Sequence, residues 1–165
     1  MIFLLDDQYP SLLPEPEKAD ENGMVAVSET LGIERLVAAY QKGIFPWMKM
    51  EQEPNYWCWF SPEPRMVLRP SNLRISRSLK KALNTESFEI RIDHAFEETM
   101  RSCARSSRPG QESTWIEDDM IHDYTKLHEL GITHSIEAYL EGERVGGLYG
   151  LAMGKMFFGE SMFHD

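Results

Sequence analysis

Glu160 is a carboxylate set among Phe157, Phe158, Met162 and Phe163, inside the stretch Val145–Phe163, VGGLYGLAMGKMFFGESMF. Two readings fit it. It is a glutamate on the solvent face of a strand, or one paired with an arginine. Alternatively, it is a carboxylate held in an apolar cleft, where desolvation raises its pKa or where it binds an amine or hydroxyl of a substrate. Trp47 follows a proline in a loop, and Trp115 stands at the mouth of a helix. Each either fills a small core or offers a ring on which a base or another aromatic stacks. Arg77, Lys80 and Lys81 recur at i, i+3 and i+4, which puts three cations on one face of a helix. That face is either solvated or in contact with phosphates.

The elements that must carry these residues can be read from the patterning. The first half of Val145–Phe163 holds Gly146, Gly147, Gly150 and Gly154 among apolar residues, and its second half is apolar except for Lys155, Glu160 and Ser161. This predicts two buried strands with a tight turn near Met153–Lys155. Glycine within a strand marks a bulge or a close approach of a ligand or another backbone. Upstream, residues 1–28 are rich in proline and acid and predict an extended arm. Glu29–Lys42 predicts a helix capped by Thr30 and stopped by Gly43. Gly43–Arg65, with prolines at 46, 54, 62 and 64, predicts a loop-rich segment with one short strand near Tyr56–Phe60 and with Trp57 and Trp59 as core. Met66–Pro70 alternates like a strand, and Ser76–Asn84 reads as a short helix. Then follow a strand at Phe88–Ile92, a helix at His94–Ser106 and a polar loop at Ser107–Ser113. Asp118–Leu130 reads as a helix capped by Thr114, with strands at Ser135–Leu140 and Arg144–Ala152 beyond it. The order is that of an α+β chain with an antiparallel sheet.

Composition narrows the possibilities. At 165 residues, 42% hydrophobic and 27% charged, the chain is long enough to bury a core and is of ordinary globular make-up. No apolar run approaches the roughly 20 residues of a membrane span, and the N-terminus lacks the basic and apolar regions of a signal peptide. Cys58 and Cys103 have no metal-binding or redox spacing and are expected as reduced thiols of a cytoplasmic protein. No zinc-binding His spacing occurs, so no metal is expected. The net charge of −10 argues against a nucleic-acid partner, but its distribution argues otherwise. Residues 62–92 carry +4 and the remainder −14, so a basic patch can hold a phosphate backbone on an otherwise acidic protein.

Six pieces together resemble one family, the leucyl/phenylalanyl-tRNA–protein transferases. They are GIFPW (Gly43–Trp47), Trp59–Arg65, ISRSLKK (Ile75–Lys81), TWI (Thr114–Ile116), LHELGITHSIE (Leu127–Glu137) and Val145–Phe163, in the family's order. The resemblance implies a small N-terminal domain, 1–64, followed by an acyltransferase-like domain of the GCN5-related kind, 65–165, with a mostly antiparallel sheet. It implies transfer of Leu or Phe from aminoacyl-tRNA to a protein whose N-terminal residue is Arg or Lys, which marks that protein for degradation by the N-end rule. No cofactor is implied. By the same resemblance, Glu160 matches an active-site glutamate, and Trp47 and Trp115 match tryptophans near the aminoacyl-adenosine end of the tRNA. Leu148 and Phe157 match residues lining the pocket for the leucyl or phenylalanyl side chain, and Arg77 and Lys81 match basic residues on the acceptor stem. Two other basic positions of that patch are Asn84 and Thr85 here. The family continues past the position of Asp165 into a helix and an Asp-Cys-Gln motif assigned to catalysis. The expectation is therefore a C-terminally truncated, incomplete member whose Met156–Phe163 strand is partly uncovered and which lacks transfer activity. The competing readings are a catalytically inactive tRNA-end-binding module and an acetyl-CoA-dependent N-acetyltransferase. The second lacks its usual Gly-rich pyrophosphate loop, since GLYGLAMG has no arginine or glutamine in place.

Overall fold

The computed structural model describes residues 2–50, 53–85, 87–106 and 114–164, so the expected loop at Ser107–Ser113 lies outside the described residues. The chain divides into two units, one of Met1–Pro64 with Ser107–Ile132 and one of Arg65–Ser106 with Thr133–Asp165. Ser107–Ile132, which the two-domain expectation places with the second part, thus falls in the first unit.

In the first unit a four-stranded sheet runs in the order β1-β2-β4-β3. β1 (Phe3–Leu4) is parallel to β2 (Met24–Ser28), and β2 and β3 (Phe45–Lys49) each pair antiparallel with β4 (Trp57–Phe60). β4 is the core: all four of its side chains, WCWF, are buried. Its two indoles are dry but not orphaned. Trp59 Nε1 donates to Ser28 Oγ at 2.7 Å, and Trp57 Nε1 to an Asp119 carboxylate oxygen at 3.2 Å. Such pairing is what makes a buried tryptophan tolerable. Helices α1 (Ile33–Gln41) and α4 (Asp118–Glu129) complete the unit. They turn Leu36, Ala39 and Tyr40, and Met120, Ile121, Tyr124 and Leu127, inward, and the Tyr40 and Tyr124 hydroxyls meet at 2.6 Å. Arg35 is buried on α1; its two terminal nitrogens donate to Asp7 at 2.7 Å and to the Thr30 and Asp6 carbonyls, both at 2.9 Å, while its Nε has no partner among the described residues. A buried guanidinium requires such a set of acceptors.

Three local expectations are corrected in this unit. Thr30 does not cap α1; Gly32 stands at that position and the Thr30 hydroxyl donates to Asp7. Thr114 likewise yields the cap of α4 to Glu117 and accepts from the Ile116 amide instead. Gly43–Arg65 holds two strands rather than one, because Pro46 is accommodated on an edge strand, where one side of the backbone has no ladder to serve.

The second unit has a sheet of order β5-β6-β7-β8, built from Glu89–Ile92, Thr133–Leu140, Glu143–Met153 and Met156–His164, with every neighbouring pair antiparallel. The turn between β7 and β8 falls at Gly154, whose φ of 59° suits a residue without a Cβ. Helix α3 (Phe96–Arg105) covers one face with Phe96, Thr99, Met100 and Cys103. Facing it, Thr133, Ser135, Glu137 and Tyr139 of β6 are buried while the intervening residues are half-exposed, the period-two signature of a sheet with one covered face. The covered face holds a polar cluster. Glu137 Oε1 accepts from Ser135 Oγ at 2.5 Å and from Thr99 Oγ1 and the Ala95 amide at 3.3 Å. Arg144 donates to Thr99 at 2.9 Å and lies over the Phe163 ring.

The opposite face is apolar and open. Register puts Ile92, Ile136, Leu148 and Met162 in one row across four strands. Ile92 and Met162 are 68% and 64% exposed, so β8 is not the buried strand its apolar sequence suggests. Met66–Pro70 is also corrected: no strand forms there, and Met66, Val67 and Leu68 are exposed. Helix α2 (Arg77–Thr85) buries nothing; Ser76 Oγ accepts from the Leu79 amide in the manner of an N-cap.

Candidate functional site

On β8, Ser161 pairs with Tyr149 but Gly159 pairs with Gly150, so Glu160 is the extra residue of a β-bulge. A bulge re-aims a side chain without breaking the strand. Alternation about the buried Ser161 sets half-buried Glu160 with Met162 on the open face. Gly150 is the reason the bulge fits. A Cβ at Gly150 would run into the Phe158 carbonyl oxygen and lie 2.7 Å from the Phe157 ring. The Phe157 ring therefore folds over Gly150, and Leu148 stands two residues along the same strand on the same face. Phe157 is 46% exposed and Leu148 half-buried, so together they form a shallow apolar wall beside Glu160. Gly147 faces the other way. A Cβ there would meet the Phe163 ring at 2.9 Å and Thr99 Cγ2 at 3.2 Å, which fixes how closely α3 packs.

The same device recurs in the first unit. Pro46 pairs with Trp59 and Met48 with Cys58, so Trp47 is the bulged residue of β3. Its ring is 40% exposed and is buttressed edge-on by Phe60, with centroids 5.3 Å apart. Lys49, two residues on, pairs with Glu117 at 2.8 Å and Asp119 at 2.7 Å and lies 4.8 Å from the Trp57 ring centroid. Burial alone would lower the Lys49 pKa, but hydrogen bonds to Asp119 and Glu117 and the charge of both carboxylates outweigh it and hold it above the ordinary lysine value. This pair draws β3 to the start of α4. Half-buried Trp115 stands two residues before Glu117, so both tryptophans flank one ion-paired junction.

Arg77 and Lys81 are exposed on α2, and among the described residues no carboxylate is bound to either. Among the described residues no group of three or more His, Cys, Asp and Glu side chains is placed to hold a metal ion, and no helix is long and apolar enough to cross a membrane. Among the described residues Cys58 and Cys103 form no disulfide and both are buried, and burial pushes the Cys58 thiol up.

The spacing of residues did not single out Asp93 and His134. Asp93, just past β5, has a φ of 56°, in the left-handed region that aspartate tolerates better than most residues. One of its carboxylate oxygens accepts from the Ser135 amide at 2.9 Å and the other meets His134 Nδ1 at 2.8 Å. The two residues are 41 positions apart, and only the pairing of β5 with β6 brings them together.

The chain matches two family models. Residues 67–165 match the one described as leucyl/phenylalanyl-tRNA protein transferase, and residues 29–63 match its N-terminal domain. A leucyl/phenylalanyl-tRNA–protein transferase of Myxococcus xanthus is 50% identical over 162 residues, covering 98% of this chain and 68% of that protein. One from Dechloromonas aromatica is 52% identical over 157 residues, covering 95% and 65%. One from Ralstonia pickettii is 49% identical over 173 residues, covering 99% and 67%. The chain thus spans about two thirds of the length of these curated relatives.

Proposed function

The chain belongs to the leucyl/phenylalanyl-tRNA protein transferase family, and from that premise we propose that it moves a leucyl or phenylalanyl group from aminoacyl-tRNA to the α-amine of an acceptor protein. The acceptor begins with Arg or Lys, the product is marked for degradation, and the setting is the cytoplasm. The observation that carries this reading is the match of both models, in order, to a chain whose second unit sets a bulged carboxylate beside an apolar wall.

The ester bond to the tRNA is already activated, so the chemistry is one of positioning. A neutral amine must meet the ester carbonyl in line, lose a proton, and see the oxyanion stabilised. Leu148 and Phe157 supply apolar surface for the aminoacyl side chain, and each methylene lost from that contact is worth about 1–3 kcal/mol of discrimination. Glu160 orients the aminoacyl group's own amine. Trp47 and Trp115 offer rings to the terminal adenosine, and Arg77 and Lys81 hold phosphates of the acceptor stem.

The test is a transfer assay with phenylalanyl-tRNA and peptides beginning in Arg, Lys or Ala. Label should appear on the first two and not on the third. Label on all three would remove the acceptor specificity, and label on none would remove the transferase reading for this polypeptide. Replacing Arg77 and Lys81 together with alanine should weaken tRNA binding and reduce its log–log salt slope by about 1.4–1.8. An unchanged slope would make α2 a solvated face.

A further inference from the structure

We propose that His134, held by Asp93, is the group that carries the proton in the transfer step. The proposal rests on the aminoacyl-transfer reading above and adds a residue to it. Asp93 offers only acceptors, so the bond of 2.8 Å between its carboxylate and His134 Nδ1 requires the proton on Nδ1. In the neutral ring that leaves the lone pair on Nε2, and no described residue hydrogen-bonds this nitrogen. The carboxylate is itself fixed. Its second oxygen takes the Ser135 amide at 2.9 Å, and the Asp93 amide donates to the Ser135 carbonyl at 3.0 Å. A base oriented by a third group in this way is the arrangement that general acid–base catalysis uses.

Place matters as much as tautomer. Along β6 the residues flanking His134, Thr133 and Ser135, are buried, so the imidazole is on the open face and its side chain is 32% exposed. Across the sheet His134 pairs with Gly150, and Gly150 pairs with Gly159, the residue beside Glu160. The row is thus one imidazole followed by two positions without side chains. It ends at the bulge, two strand spacings or roughly 10 Å away. The Phe157 ring fills the space over Gly150, and Leu148 is diagonal to His134 on the neighbouring strand. An aminoacyl ester lying against Phe157 and Leu148 has Glu160 on one side and His134 Nε2 on the other.

In the step itself, the bond between acceptor nitrogen and acyl carbon forms as the bond from acyl carbon to the ribose oxygen breaks. The nitrogen's proton passes to Nε2 and from Nε2 to the departing ribose oxygen. No proton is gained or lost overall, and no redox change occurs. Asp93 is a positioning residue, because it acts only through the imidazole.

The experiment has two arms on the full chain. In the first, single-turnover transfer from phenylalanyl-tRNA to an arginine-initiated peptide is compared for parent, His134→Ala and His134→Gln. The expected loss is about a hundredfold or more in rate, with unchanged tRNA binding and partial rescue of His134→Ala by added imidazole. Parent-like rates in both variants, or a loss that imidazole never restores and that follows the melting temperature, would overturn the proposal. In the second arm, nitrogen NMR of the histidine ring is followed while a phenylalanyl 3′-amino-3′-deoxyadenosine amide is added. The free protein should show the Nδ1–H tautomer, Asp93→Asn should abolish that preference, and the amide should shift the Nε2 resonance. Bound amide with an unmoved Nε2 resonance overturns the proposal even if the parent transfers nothing. Failure of the parent to transfer or to bind the amide counts instead against the transferase reading on which the proposal stands.

Discussion

Among the described residues β3 and β8 each pair with a single strand, and each is thrown out of register by one residue. In β3 that residue is Trp47, and in β8 it is Glu160. The means differ. Trp47 is shelved on atoms: Phe60 stands edge-on to its ring, Pro46 stiffens the chain before it, and Lys49 clamps the strand two residues on. Glu160 is admitted by the lack of atoms, since Gly150 opposite the bulge leaves room for the Phe158 carbonyl and the Phe157 ring. A ring meant for stacking needs a rigid support behind it. A carboxylate meant to point needs a backbone free to turn. Both bulges re-aim one side chain while the strand keeps its pairing on either side of them.

The sharpest way to break this comparison is Gly150→Ala. The added carbon meets backbone, which cannot swing aside, so the loss should be about 2–3 kcal/mol of unfolding free energy in urea, followed by circular dichroism. An unaltered midpoint would mean the β8 bulge does not depend on that absent side chain. Next comes Trp47→Ala. Its stability cost should stay below about 1 kcal/mol because the ring is part-exposed, whereas affinity for an acceptor-end oligonucleotide should fall by about 1–3 kcal/mol. The reverse ordering would make Trp47 a core residue. The smallest effect belongs to Lys49→Met, about 1 kcal/mol. Its pH dependence has a definite sign. The folded pKa is raised, so the ion pairs contribute fully below the ordinary lysine value of about 10.4 and fade as pH rises through the folded value. The gap in melting temperature between parent and variant should hold steady from about pH 7 to 9 and close on the alkaline side; a gap that grew there would refute the clamp.

Much of this was legible in the residues and some could not be. Periodicity placed α3 inside the helix expected at His94–Ser106, and the glycines of β7 announced a bulge or a close approach. What periodicity cannot give is partnership. Met66–Pro70 alternates like a strand but has no strand beside it, while β3 carries a proline yet pairs along β4. Thr30 and Thr114 have the right chemistry for caps, but Asp7 and the Ile116 amide claimed their hydroxyls. That Glu160 is the extra residue depends on the register of β8 against β7, which is a property of two strands and not of either alone. The Asp93–His134 pair is hidden for the same reason.

All four tryptophans, Trp47, Trp57, Trp59 and Trp115, belong to the first unit. Optically, then, half of the molecule is dark. Indole emission reports the first unit alone, while peptide circular dichroism sees both, so the two signals together resolve which unit melts. Within the emission there is a further division. Trp57 and Trp59 are wholly buried and should glow towards the blue, beyond the reach of acrylamide, whereas Trp47 should emit to the red and be quenched. A nucleotide stacking on Trp47 would diminish the red emission and leave the blue one, giving a binding signal without any attached dye.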